Sequence, residues 1–311
     1  MAAMLELIRP GTTFDFVGYR FYAVTASIVV ILLGVISLAV RGVNYGIDFA
    51  GGTLVHVKFH QPVPINDIRS ALESISAKDV TVQDFGGSGA NEFIVRMLES
   101  DPELKRGLPQ QISSALTEGF KGKSEFEVLR VETVGPRVGK DLRQRAVLAV
   151  LAATVVMGVY IAVRFEPRFG VGAAVALLHD VMVAVGALSF ARMEFDLTTV
   201  AALLTIVGYS VNDTVVISDR IRENMRKNRR EPLASVMNRS INETLSRTIL
   251  TGGTVFLVIL ALFFLGGEII HGFAFTLLVG VIVGTYSSIY VASPIVLYLD
   301  FKPRGRAKAA A

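Results

Sequence analysis

The sequence predicts an α-helical membrane protein: six transmembrane helices, with one external α+β domain of ferredoxin-like order between the first and the second. Three observations lead there. Hydrophobic residues fill 52% of the 311 positions and charged residues only 19%, which is apolar for a soluble chain of this length. The apolar residues gather in runs of about 18 or more, the length that crosses a bilayer. Residues 41–140 break this pattern with charges of both signs and short alternating runs. About 100 residues suffice for an independent core without disulfides.

The elements follow in order. Residues 1–20 form a polar lead carrying Arg9 and Arg20, and FYAVTASIVVILLGVISLAV (21–40) is the first span. Ser37-Leu38-Ala39 resembles a signal cleavage site. The apolar run, however, exceeds the 7–15 residues of a signal h-region, so the segment reads as an uncleaved anchor. Within 41–140, NYGIDFAGG comes first, with Asp48 as a turn or cap residue and Gly51-Gly52 as a bulge or hinge. GTLVHVKF (52–59) alternates as a strand. PINDIRSALESI (64–75) places Ile65, Ile68, Leu72 and Ile75 at helical spacing behind Pro64. DVTVQDF (79–85) and NEFIVRML (91–98) are strands joined at Gly86-Gly87-Ser88-Gly89. Pro102 opens a second helical stretch to about Phe120, with a kink expected at Pro109. EFEVLRVETV (125–134) is the last strand. The order is β-α-β-β-α-β, the split pattern of ferredoxin-like domains.

GPRVGKDLRQR (135–145) reads as a basic connector. Within 141–299 lie spans two to six, at about 146–163, 169–190, 197–218, 248–266 and 271–299. A basic loop at 219–247 separates the fourth from the fifth. Leu233, Val236, Ile241 and Leu245 in that loop have near-helical spacing, which predicts an amphipathic helix on the membrane surface. Residues 300–311 are a basic tail. Arg9, Arg20, Arg164, Arg168, the 219–247 loop and the tail all fall on one side. The opposite short loops hold only Arg192, and GGEIIHG has no Lys or Arg. Positive-inside then predicts cytoplasmic termini and a domain on the far side.

Cysteine is absent, which excludes a disulfide framework, thiol chemistry and thiolate zinc sites, and leaves the redox compartment unread. Tryptophan is absent too, so any aromatic belt draws on Tyr19, Tyr22, Tyr45, Tyr160 and Tyr298. No phosphate loop, nucleophile elbow or thiol nucleophile occurs. The reading is therefore not an enzyme, and one without a cofactor. Nucleic acid is not an expected partner; the lipid bilayer is.

The candidate site is set by acids inside the spans. LTTVAALLTIVGYSVNDTVVISDRIR (197–222) carries Asp213 about five residues from its polar end, roughly 7–8 Å deep at 1.5 Å per residue. An acid within hydrocarbon costs about 2.5–3.5 kcal/mol on insertion scales and is a functional candidate by default. Ser210 shares its face; Asn212 and Thr214 flank it on others. Gly208 thins the helix for a neighbour. Arg247 opens the fifth span from the same side, and Thr251 lies one turn deeper, so the two bracket the depth of Asp213. The blander alternative has Arg247 snorkelling to phosphates and Thr251 bonding its own backbone. His179-Asp180 sits near the middle of the third span. The two point about 100° apart, which argues against one shared site, and Asp180 is expected roughly 9 Å from the depth of Asp213. A proton relay through water and a hydrogen bond within the bundle stand level as readings. A metal hydrolase of the His-Asp type lacks the further ligands. Gly280 and Gly284 form a G-x-x-x-G that favours tight helix packing.

With these residues in view, the chain resembles the SecF family, subunits of the bacterial SecDF protein-export membrane complex in the resistance-nodulation-division (RND) superfamily. The matching stretches are NYGIDFAGGT (44–53), VETVGPRVGKDL (131–142), HDV (179–181), VGYSVNDTVVISDRIREN (207–224) and INETLSRTI (241–249). They lie in family order over most of the chain. The resemblance implies an RND-type half bundle of six spans, completed by six spans of SecD, in the bacterial cytoplasmic (inner) membrane. It implies association with the SecYEG translocon and with exported unfolded polypeptide, driven by protons as the coupling ion. It assigns Asp213 as proton carrier and matches Arg247 and Thr251 to the family's fifth-span Arg and Thr. The methionine start and short lead read as an unfused subunit with SecD on a separate chain. Two rival functions remain: half of a small-molecule or lipid efflux transporter, and a non-transporting scaffold. Against the first, a domain of about 100 residues leaves little room for a drug-sized pocket of about 300–1,000 Å³.

Overall fold

The computed structural model describes residues 13–73, 80–85, 91–97, 108–122 and 124–300. The first helix, α1 (Arg20–Arg41), buries only Ser27 and Ser37. Tyr22, Leu33 and Val40 face outward. A helix that turns its small polar residues inward and its large apolar ones outward suits a lipid-facing position.

A short helix, α2 (Ile47–Ala50), leads through Gly51 and Gly52, at φ +78° and +140°, into β1 (Gly52–Phe59). A Cβ on Gly51 would lie 2.8 Å from Pro136 Cα, so this bend needs glycine for both its backbone and its space. There follow α3 (Ile65–Leu72), β2 (Val80–Phe85), β3 (Glu92–Met97), α4 (Leu108–Gly119) and β4 (Phe126–Val134). The strands pair antiparallel in the order β2-β3-β1-β4. Alternate residues Val55, Val57 and Phe59 point to one face, where Ile68 and Leu72 of α3 and Ile112 and Leu116 of α4 cover them at i, i+4 spacing. Pro109 lies in the first turn of α4 rather than at a kink, where its missing N–H leaves no helix bond unmade. Ile75, the turn at 86–89 and Pro102 lie outside the described residues.

The bundle continues with α5 (Pro136–Arg164), α6 (Pro167–Ala191), α7 (Leu197–Lys227), α8 (Leu233–Leu265) and α9 (Glu268–Ser287). A π-helical turn (Ser288–Ala292) and α10 (Ser293–Leu299) complete the last span. Six of these stretches are long and apolar enough to cross a membrane. α6 and α7 lie innermost. Glycine sets close crossings: a Cβ on Gly186 of α6 would sit 2.8 Å from Gly34 Cα of α1, and one on Gly280 of α9 would overlap the Ile206 side chain of α7.

Two sequence expectations need correcting. Residues 136–145 are not a connector but the first turns of α5, which Pro136 opens at a position that suits proline. The apolar stripe at 233–245 is not left free for a bilayer. It is the start of α8, where Val236 is buried and Met237, Ile241 and Leu245 pack with Ile217 and Ile221 of α7. One helical periodicity serves a bilayer or a neighbouring helix equally well, and α7 running on to Lys227 supplies the neighbour. Polar contacts lock this pair. Asn224 donates to Ser240 Oγ at 3.0 Å and to Glu243 at 2.7 Å, and Arg220 bridges Glu223 and Glu243 at 2.5 Å each.

Candidate functional site

The site is built on α7. Asp196 caps its start by accepting from the Thr199 N–H at 2.8 Å. The buried face then runs through Leu203, Ile206, Val207, Ser210, Asp213, Thr214 and Ile217. Asp213 is 8% exposed. Its Oδ1 accepts from the Thr248 hydroxyl at 2.6 Å. Its Oδ2 is buried with no hydrogen-bond partner among the described residues. Among the described residues no ion pair or hydrogen bond joins Arg247 to this carboxylate, whose one hydrogen-bond donor is Thr248.

Arg247 and Thr251 are both on the exposed side of α8. The Thr251 hydroxyl donates to its own backbone, to the Arg247 carbonyl at 2.8 Å and the Thr248 carbonyl at 3.2 Å. The hydroxyl that touches Asp213 is therefore Thr248, which depth alone did not select. Depth along a helix says nothing of which way a residue faces. The buried stripe of α8, Ile241, Thr244, Leu245, Thr248 and Gly252, advances by three and four, and that spacing was available in the sequence. Asn212 lies on the exposed side of α7.

Ser210 serves a second acid. Asp180, with no exposure, accepts at Oδ2 from Ser210 at 2.6 Å and from Ser287 at 2.9 Å, and its Oδ1 meets His179 Nδ1 at 3.0 Å. His179 Nε2 lies 3.2 Å from Ser27 Oγ of α1, which hydrogen-bonds to Tyr286 at 3.1 Å. Tyr286 donates to the Ala23 carbonyl at 2.6 Å and stacks on the His179 ring. So His179 and Asp180 share one network despite their angular separation, because the imidazole is long enough to swing beside its neighbour. Asp180 also stands level with Ser210. That is about 4.5 Å from Asp213 along α7, half the expected offset. A further link, Thr214 to Ser288 at 2.8 Å, ties α7 to the π-helical turn. Among the described residues no cluster of His, Cys, Asp and Glu is arranged to hold a metal ion.

The arrangement offers two unlike carboxylates. Asp180 is saturated with donors and joins α1, α6, α7 and α9. Asp213 keeps one bare oxygen, the place where a proton or an incoming donor fits.

The sequence profile described as Protein export membrane protein SecD/SecF, C-terminal, matches residues 114–302, and that of the SecD/SecF GG motif matches 36–63. The protein translocase subunit SecF of Desulfurispirillum indicum is 46% identical over 93% of this chain and 92% of its own length. That of Escherichia coli O157:H7 is 40% identical over 96% and 91%. The crystal structure of SecDF, a translocon-associated membrane protein from Thermus thermophilus, superposes with a TM-score of 0.79 at 40% identity, over 93% of this chain. This chain spans only 39% of that longer one. Fold and likeness together define a multi-pass membrane transport component of the RND type, not an enzyme. The chain belongs to the SecF family of protein translocase subunits.

Proposed function

We propose that this chain works with SecD to draw unfolded polypeptides out of the SecYEG translocon, using inward proton flow as its energy source. It sits in the bacterial cytoplasmic membrane with both termini in the cytoplasm and the α+β domain on the far side. Protons are the coupling ion, and no cofactor is required.

The observation that carries this reading is the bare Oδ2 of Asp213. A half-satisfied carboxylate buried among spans is costly to keep. Its proposed use is to take a proton from the far side and lose its charge, which removes its attraction for Arg247 on α8. α7 and α8 then repack. A membrane potential supplies about 2.3 kcal/mol per charge per 100 mV, enough to bias a sliding chain rather than grip it.

A second feature supports the partner. Thr205, Gly208 and Asn212 of α7, with Arg247, Thr251 and Thr254 of α8, form a polar or small stripe on the exposed side of the bundle. Polar groups at that depth are expensive against lipid. Six spans of SecD would cover them and enclose Asp213 and Arg247 at the seam.

The test is proton-driven export in vesicles carrying this chain, SecD and SecYEG. Asp213→Asn is expected to abolish both proton flux and export stimulation while SecD still co-purifies. Normal export by that variant overturns the proposal. Co-purification lost with flux intact points to the scaffold instead.

The efflux reading gains one observation. A cleft of about 460 Å³ lies between the sheet and the α6–α7 loop, more room than the length of the domain suggested. Its walls carry Arg96, Arg130, Glu132, Glu194 and His56, whereas drug pockets are mostly apolar. Drug accumulation in a deletion strain separates the two.

A further inference from the structure

The segment NYGIDFAGG (44–52) contributes nothing to either buried acid, yet it touches more elements than any loop of its length requires. It is stitched to the turn that opens α7. The Gly46 N–H donates to the Phe195 carbonyl at 3.0 Å, and the Phe195 N–H donates to the Asn44 carbonyl at 2.8 Å. The Asp48 carboxylate accepts from the N–H of Leu197, the first residue of α7, at 3.0 Å. Tyr45, Phe49 and Phe195 pack ring against ring with centroids 5.6–6.3 Å apart.

The same segment presses on α5. A Cβ on Gly139 would come within 3.0 Å of the Phe49 carbonyl oxygen, and the Arg143 guanidinium lies 5.1 Å over the Tyr45 ring. From there the chain runs through Gly51 into β1, one of the two interior strands of the sheet. A second tie is made from β3, where Arg96 ion-pairs with Glu194 in the turn before α7.

The end of α1 is fastened elsewhere. Arg41 donates to the Phe190 carbonyl at 3.0 Å, and the Gly42 carbonyl accepts from Ser189 at 3.0 Å, both on α6. α5, which follows β4 after one residue, and α7, through its first residue and the turn before it, are therefore the helices tied to the α+β domain, and of these α7 carries the open acid.

We infer that α7 is the rod that passes movement from its buried acid directly to the α+β domain, with Asp48 and the Arg96–Glu194 pair as positioning residues at the joint. From Asp213 to Leu197 the helix is continuous and free of proline over 16 residues, about 24 Å. A displacement at the acid then arrives at Leu197 as a rigid shift. Leu197 N–H is one of the helix-start donors that have no partner within the helix. A carboxylate is favoured there by the helix dipole, so Asp48 holds it well from another element. The inference rests on the proton-driven reading above.

The test uses the same vesicles and records proton flux and export separately. Asp48→Ala, Arg96→Glu and Glu194→Arg are each expected to conduct protons while export falls about fivefold or more, the low end of typical coupling free energies. Asp48→Asn keeps an acceptor oxygen and is expected to export normally. Arg96→Glu combined with Glu194→Arg is expected to restore export. Normal export by the single variants, or failure of both rescues, overturns the inference.

A second measurement decides the matter even if those variants fail to assemble. The chain has no cysteine, and Tyr45 and Phe195 are bridge partners. Tyr45→Cys with Phe195→Cys therefore gives a single disulfide across the joint. Export is expected to be equal in the oxidised and reduced forms, because the joint stays closed throughout the cycle. Export lost on oxidation and regained on reduction overturns it. Asp213→Asn in the same vesicles keeps the two ideas apart. If it behaves as wild type, the proton reading fails. If it abolishes flux and export while the joint variants work normally, only the joint fails.

Discussion

Asp180 and Asp213 are buried at nearly the same level of one bundle, yet their surroundings differ. Asp180 has no exposure and takes three hydrogen-bond contacts, from His179, Ser210 and Ser287. Asp213 has one, from Thr248, and a bare second oxygen. Burial alone therefore does not tell the two acids apart. The number of donors that the fold supplies does: three contacts at Asp180 against one at Asp213.

Substitution at the open acid gives the largest effect. Asp213→Asn should reduce proton-driven export in vesicles to the background of protein-free membranes, with the unfolding temperature in detergent nearly unchanged. If Asp180→Asn proves equally silent in transport, the contrast between the two acids is broken.

Next comes the fastener. Asp180→Ala strands Ser210, Ser287 and His179, and a buried donor left without its acceptor costs about 1–3 kcal/mol. Thermal unfolding in detergent should show that loss, while Asp180→Asn, which still accepts from both serines, should recover most of it. A smaller structural effect is expected at Gly280, where a Cβ would meet Ile206. Gly280→Ala overpacks this crossing, at a cost of about 1–3 kcal/mol read by the same melt.

The donor count can be sharpened at α8. Thr248→Val removes the single hydrogen bond to Asp213 and should move the pH at which export is half-maximal. Thr251→Val removes only bonds to its own backbone, so its pH profile should stay closer to wild type. Equal shifts would break the distinction between the two hydroxyls.

The smallest effect belongs to an acid that water already serves. Glu92 on β3 accepts from Lys58 at 2.8 Å and lies 3.1 Å from His56. The hydrogen bond from Lys58 holds its carboxyl below the usual range against the opposing effect of burial. A depressed carboxyl contributes stability that is present at neutral pH and lost as the pH falls through its folded value. Glu92→Gln should therefore lower the unfolding temperature slightly at pH 7. The difference from wild type should persist through the usual glutamate range and vanish only once the pH falls through the depressed value.

The sequence by itself determined the number of spans, the β-α-β-β-α-β order and the acid in the fourth span. Each of these is a property of a local run: length, period, or one costly residue in an apolar stretch. It also brought Arg247 and Thr251 to the depth of Asp213, since rise per residue is fixed. Only the tertiary structure decided that Thr248 is the hydroxyl at Asp213, that Ser210 bonds Asp180, and that the stripe at 233–245 faces α7. It alone joined Asp48 to the first turn of α7, 149 residues away. These contacts depend on the rotation of one helix against another and on which neighbour arrives. A single helix's sequence offers a face, and the packing of the whole bundle chooses what meets it.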